Sequence, residues 1–116
     1  MIIGCAMRIH TAIGPGAPES AYSECLAHEL KKVGLAFKRE VALPLTYEGI
    51  TLPRAYVADL IVSNVVVVEI KTVDAILPVH TAQLLTYVKL AGLKKGLLLN
   101  FKAKRMKDGI RSVVAG

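Results

Sequence analysis

The sequence has no tryptophan, few aromatic residues of any kind and only two cysteines. No apolar run approaches the roughly 18–20 residues that a membrane-spanning helix requires. The longest clean one, Val65–Val68, is the length of a strand. A secretory leader needs a basic segment before its apolar stretch, and here the only early cation, Arg8, follows Met1–Met7. That opening segment reads instead as a helix laid against the core. Cys5 and Cys25 make neither a disulfide framework nor a thiolate metal site, and each is expected to act as a small buried apolar residue. A cytoplasmic protein is the default expectation. Two familiar chemistries are also missing. Gly14-Pro15-Gly16 lacks the Lys-Ser/Thr that completes a phosphate-binding loop, and no nucleophilic triad is visible. His10, His28 and His80 lie on separate segments without close spacing, which argues against zinc.

Acidic charge is scarce. Nine acids face fifteen bases, for a net charge of +6, and after Gly92 seven cations (Lys94, Lys95, Lys102, Lys104, Arg105, Lys107, Arg111) meet one acid, Asp108. A basic end on a small protein suits a polyanion such as nucleic acid. Solubility explains it equally well, because a chain that is 53% hydrophobic needs charge somewhere. A length of 116 residues suits one domain, 1–116, with one proper core.

The periodicity divides the chain. After the Gly14-Pro15-Gly16 break, Pro18 opens a helical pattern with Tyr22, Leu26, Leu30 and Val33 on one stripe, and Gly34 stops it. Phe37–Leu45 alternates, and Tyr47-Glu48-Gly49 is turn-like. Tyr56–Val62 and Val65–Lys71 are strand-like and joined by Ser63-Asn64, the signature of a tight hairpin. Val65–Val68 is apolar on both faces, as in a central strand. Ile76–Ala91 predicts a helix with Leu77, Leu84, Leu85, Val88 and Ala91 inward. Gly96–Phe101 is a fourth strand, and Ile110–Val114 a last strand or edge segment. The order is α, β, β, β, α, β with an extra N-terminal helix: an α/β fold with a mixed sheet flanked by helices.

Within this frame Asp59 and Glu69 stand out, because each places a carboxylate inside an apolar strand, where charge is costly unless paired or bound to metal. In a hairpin turning at Ser63-Asn64, facing residues sum to about 127, which sets the two carboxylates side by side. Oxygen ligands of this kind suit Mg²⁺ or Mn²⁺. Lys71, two residues beyond Glu69, shares its face and can hold a water or a phosphate oxygen. Metal, water and lysine are the parts of phosphodiester hydrolysis. The ordinary alternative is a strand-end salt bridge. Glu19, in the first turn of its helix, is explained by the helix dipole and is compatible with a further metal ligand. His80, Gln83 and Tyr87 share one helix face, suited either to substrate or to supporting the carboxylates, or else simply a polar flank.

Gly16-Ala17-Pro18-Glu19-Ser20-Ala21-Tyr22 resembles the G-x-x-E-x-x-Y signature of the GxxExxY proteins, a family assigned to the PD-(D/E)XK nuclease superfamily. The similarity extends through Ala58-Asp59-Leu60, Val68-Glu69-Ile70-Lys71, Pro78-Val79-His80, Gln83–Tyr87, Leu99-Asn100-Phe101 and Lys107–Ile110. The resemblance implies a restriction-endonuclease-like αβββαβ core. It gives Asp59 and Glu69 the metal and Lys71 a catalytic role, and adds the Ile70 carbonyl and Glu19 as metal ligands. Gln83 and Tyr87 match the Q-x-x-x-Y element of the RecB-like branch, and Tyr22 and His80 fall within the shared segments as supporting or substrate-binding residues. Ala58 replaces the proline of the superfamily's name. The implied function is a Mg²⁺- or Mn²⁺-dependent nuclease acting on nucleic acid, with DNA the expected substrate. A binding or assembly module that kept the fold and lost catalysis is the alternative. The apolar composition, with a mean hydropathy of +0.49, also admits a homodimer.

Overall fold

The computed structural model describes residues 1–116. Helix α1 spans Ile2–Ile13 and α2 Glu19–Lys32; strands β1 (Phe37–Tyr47), β2 (Ile50–Val62) and β3 (Val66–Lys71) follow, then α3 (Pro78–Leu90), β4 (Lys95–Asn100), a short 3-10 turn (Met106–Gly109) and β5 (Ile110–Val114). The sheet order is β1-β2-β3-β4-β5, with β3 at the centre. Only β3 and β4 run parallel, joined through α3; the other neighbours are antiparallel. This is the mixed α/β sheet and the element order that the periodicity predicts, and no helix is long and apolar enough to cross a membrane.

The helices divide the core into two layers. Cys5, Ala6 and Ile9 of α1 and Tyr22, Leu26 and Leu30 of α2 pack on one face of the sheet, against Leu60, Val68, Ile70 and Leu99. Leu84 and Val88 of α3 cover the other face, against Ile61, Val67 and Leu98. The central strands are therefore buried on both sides, which is why Val66–Val68 reads as continuously apolar, with Glu69 a charge set inside the strand. Glu29, only 9% exposed, is held by Arg8 Nε at 2.7 Å and Lys32 Nζ at 3.1 Å, which ties α1 to α2. Cys5 is buried as expected, while Cys25 is only partly so.

Three sequence expectations shift. Helix α3 starts at Pro78 rather than Ile76, because Leu77 is extended (φ −96°, ψ 158°) and Pro78 suits a first helical turn. Leu77 consequently lies outside the buried stripe, 52% exposed. Strand β2 starts six residues early, at Ile50 rather than Tyr56, and pairs back along β1 as far as Tyr47↔Ile50. Third, the hairpin register is one residue off. Ser63 and Asn64 both adopt positive φ (53° and 55°), and Val65 N–H donates to Val62 C=O at 3.0 Å, as a type I′ turn requires. Val65 then bulges out of the ladder, so Val62 pairs with Val66 and Leu60 with Val68. Facing residues sum to 128, not 127.

That single residue decides the site. Directly opposed residues of an antiparallel pair share a face, and a one-residue slip sends one member to the other side. A sum of 127 would have opposed Asp59 to Val68; the observed register, carried one step beyond its last pair Leu60↔Val68, sets Asp59 against Glu69, and the Asp59 N–H meets Glu69 Oε1 there.

Two glycines mark close approaches. A Cβ on Gly96 would lie 2.6 Å from Val88 Cγ2, and one on Gly109 would lie 2.3 Å from the Asn100 carbonyl oxygen. A side chain can turn aside more readily than backbone. Gly109→Ala is therefore expected to destabilise by about 1–3 kcal/mol or more, the usual cost of overpacking, and Gly96→Ala by less. Urea unfolding of both variants measures this; equal costs would contradict the packing described.

Candidate metal centre

The β2–β3 ladder stops short of Asp59 and Glu69, and their side chains take over from it. Asp59 N–H donates to Glu69 Oε1 at 2.9 Å, and Ile70 N–H donates to Asp59 Oδ2 at 2.8 Å. Each strand thus gives an amide to a carboxylate of the other. The strands are held together while both carboxylates keep a further oxygen.

A second irregularity lies beside the first. Glu40 of β1, opposite Asp59 in the β1–β2 register, has φ 50°, a left-handed conformation uncommon for glutamate. Before it, Phe37 packs on the α1–α2 side; after it, Val41 and Leu43 pack on the α3 side. In β2, Leu60 and Val62 face α1 and α2, whereas Tyr56 and Ala58 face α3. Both strands therefore change face together at Glu40 and Asp59, and Asp59 sits at the switch.

Burial dominates the electrostatics. Glu69 is 6% exposed, and burial together with the Asp59 charge pushes its pKa up to about 8. Burial also raises Asp59, against the opposing pull of the Ile70 N–H and Lys71. Two such carboxylates titrate as a pair, and without a cation they retain one proton near neutrality. From α2, Glu19 is raised by its own burial and then by the Asp59 charge, with Lys71 and Thr72 pulling the other way. From α3, the Tyr87 hydroxyl is raised by burial and by Glu69 and Asp59, and its ring tilts against Tyr56 with centroids 5.1 Å apart. Four elements thus bring Glu19, Asp59, Glu69, Lys71 and Tyr87 together.

The remaining candidates lie elsewhere. Tyr22 is fully buried, stacks on Phe101 at 4.3 Å, donates its hydroxyl to Gly14 C=O and accepts from Ala17 N–H at 3.1 Å. It fixes the turn that aims α2, and so supports Glu19 without touching the carboxylates. His80 Nδ1 accepts from Leu77 N–H at 2.9 Å and so caps α3. Gln83 is exposed, one turn before Tyr87 on the same helix. The basic end also divides. Lys94 and Lys95 lie at the start of β4, whereas Lys102, Lys104, Arg105 and Lys107 follow its far end, where Asn100 pairs with Lys71. Lys102 is partly engaged, with Nζ 2.7 Å from Asp74. Six of the seven cations thus fall in two clusters rather than one patch, and the seventh, Arg111, donates to the Asp108 and Ile110 carbonyls.

The sequence reading missed two residues. Glu40 lines a polar cleft of about 290 Å³ with Glu19, Asp59, Ile70 and Arg39; in the sequence it is one charge in the ordinary-looking run Lys38-Arg39-Glu40. Asn100, 3% exposed, accepts from Val73 N–H at 3.0 Å and donates to Val73 C=O at 2.9 Å. Phe101 N–H donates to Lys71 C=O at 3.0 Å. Asn100 thereby anchors the chain just past Lys71. Its sequence signals were a polar residue closing an apolar strand and its place in the Leu99-Asn100-Phe101 segment of the resemblance, neither of which gave it a role. Larger clefts, of about 590 and 720 Å³, contain neither Asp59, Glu69 nor Lys71.

No three His, Cys, Asp or Glu side chains gather closely enough to enclose a metal by themselves. Mg²⁺ does not need that; it commonly keeps several waters and takes one or two carboxylates. Two facing carboxylates that are costly to ionise alone, beside an open polar cleft, fit such an ion.

A family model described as the PD-(D/E)XK nuclease superfamily matches residues 1–113. No curated protein and no solved structure matches the chain significantly.

Two outcomes follow from the geometry. In EDTA, folded Glu69 holds a proton that the unfolded chain releases above its ordinary pKa of 4.5. Stability should therefore fall as pH rises from about 4.5 to about 8. Glu69→Gln, which still accepts the Asp59 N–H, should flatten that decline and raise the thermal midpoint at pH 8; melting curves at several pH values read it, and a parallel decline in both proteins would refute it. Asn100→Leu strands two backbone groups of Val73 and should cost about 1–3 kcal/mol in urea unfolding.

Proposed function

Since the chain belongs to the PD-(D/E)XK nuclease superfamily, we propose that it is a metal-dependent nuclease that hydrolyses phosphodiester bonds of nucleic acid, with DNA as substrate. The observation that carries this reading is the opposed pair of half-buried Asp59 and buried Glu69, with Lys71 on the same strand face as Glu69. The whole chain, 1–116, is read as one nuclease-like domain, and its likeness to the GxxExxY family and the RecB-like branch is part of the same proposal.

In this reading Asp59, Glu69 and the Ile70 carbonyl would hold Mg²⁺ or Mn²⁺, with Glu19 completing the ligand set. When bound, the ion would supply Lewis-acid polarisation of the scissile phosphate. The Lys71 ammonium donates to a phosphate oxygen and orients the attacking water. The water oxygen bonds to phosphorus and gives up a proton to solvent, the bond to the leaving oxygen breaks, and that oxygen takes up a proton from solvent. Tyr87, with a pKa raised further by the two carboxylates, stays protonated and is positioned as a hydrogen-bond donor, while Gln83 extends the same helix face towards substrate. Tyr22 and His80 act by fixing α2 and α3. Lys104, Arg105 and Lys107, exposed beyond the site end of β4, supply phosphate contacts.

The lack of a third enclosing ligand favours a second reading, a nucleic-acid-binding or assembly module without catalysis. Calorimetry with Mn²⁺ separates the two, since a folded sample that binds none supports the module. For the nuclease, Lys71→Ala should reduce cleavage of labelled DNA by at least about 100-fold, the scale of a lost proton-transfer or positioning group, with the fold intact by circular dichroism. Undiminished metal-dependent cleavage by that variant would sink the assignment. RNA substrates run alongside test the choice of DNA, and removing Lys104 and Lys107 should lower the salt dependence of binding by roughly one unit per lost contact.

A further inference from the structure

Beyond the face switch at Glu40 and Asp59, β1 and β2 continue as a two-stranded arm that leaves the body of the molecule. Strand β3 pairs with β2 only at Leu60–Val62, so the arm from Leu43 to Tyr56 has no third strand. The molecule is correspondingly elongated, 47 × 31 × 25 Å. An isolated hairpin is marginally stable in water. This one is strictly two-faced. Leu45 pairs with Leu52 and Tyr47 with Ile50, and these four share a face; Thr46 pairs with Thr51 on the other, their hydroxyl oxygens 3.1 Å apart. The apolar face is uncovered: Tyr47 is 63% exposed, Ile50 60% and Leu52 48%. None of the four belongs to either core layer.

We propose that this face docks against the same face of a second copy of the chain, arm on arm about a two-fold axis. Charge argues for a protein partner rather than a polyanion, because between Ala42 and Ala58 the only charges are Glu48 and Arg54. One acid near the tip and one base further down the arm are self-complementary when two arms lie antiparallel, the relation a two-fold contact imposes. Edge-to-edge pairing is disfavoured, since Pro44 and Pro53 each remove a donor from the arm's strands. Four apolar side chains cover on the order of 400–500 Å² per copy, as large as the biggest patches that monomers expose and at the low end for an interface. The dimer is therefore reversible and concentration-dependent. It goes beyond the nuclease reading, and its test does not use activity.

Sedimentation of the intact protein over a dilution series should show a shift from 12.5 kDa to twice that mass. Ile50→Glu with Leu52→Glu should weaken self-association at least ~30-fold, the level of hot-spot residues, while Thr46→Glu on the opposite face leaves it unchanged. Hydrogen exchange of the unmodified protein gives a readout that needs no variant: protection of amides 44–57 should rise with concentration while the core stays constant. A monomer at every concentration would overturn the proposal, as would a dimer that survives Ile50→Glu with Leu52→Glu, equal dissociation by Thr46→Glu, or arm exchange independent of concentration. A monomer whose binding to duplex DNA is lost in Ile50→Glu would overturn it in favour of an arm that reads nucleic acid.

Discussion

The fold turns on two crossed hydrogen bonds. Asp59 gives its amide to Glu69, and Ile70 gives its amide to Asp59. Without them, β2 and β3 would part where the ladder ends, because the strands are already diverging towards the face switch. With them, each carboxylate is fixed to the opposite backbone before any ligand arrives, so its rotamer freedom is already lost. Charged acceptors make stronger bonds to backbone amides than neutral ones do. The same two groups therefore close the sheet and aim the site.

That economy has a cost in stability. Burying two carboxylates against one another is unfavourable, and the raised pKa of Glu69 expresses it. The surroundings oppose the cost without cancelling it. Lys71 lowers both members of the pair, and Asn100 pins the segment that follows Lys71. The apolar layers on either side supply the rest of the stability. The result is a rigid, electrostatically unsatisfied centre, which suits a cation better than it suits an empty pocket.

Much of this was legible in the sequence, and the exceptions have physical reasons. The helices were visible because α2 keeps one apolar stripe and glycines end α2 and α3; the central strand was visible because Val65–Val68 is apolar on both faces. Asp59, Glu69 and Lys71 were visible because charge inside such strands is costly. The hairpin also set the two carboxylates side by side, but only in an approximate register; the one-residue choice depends on Val65 leaving the ladder, and a valine carries no sign of a bulge. Glu40 was hidden because its importance lies in a backbone angle. The arm was hidden because Thr51-Leu52-Pro53-Arg54 carries a proline and no continuous apolar run; a proline is tolerated where no third strand needs its amide. Tyr22 and His80 illustrate the converse, since a residue that stands out in the sequence can serve the turn or cap it makes.

The bulge at Val65 gives the chain something like a reading phase. If Val65 took a place in the ladder, the hairpin would close with Val62 opposite it, on the odd sum, and Asp59 and Glu69 would point to opposite sides of the sheet. Deleting Val65 would instead leave Ser63-Asn64 as a plain two-residue turn, with Val62 still opposite Val66 and Asp59 still opposite Glu69. The information that makes a site of these residues is thus a parity, carried by whether one residue of the turn is counted in the ladder and not by the identity of any motif residue.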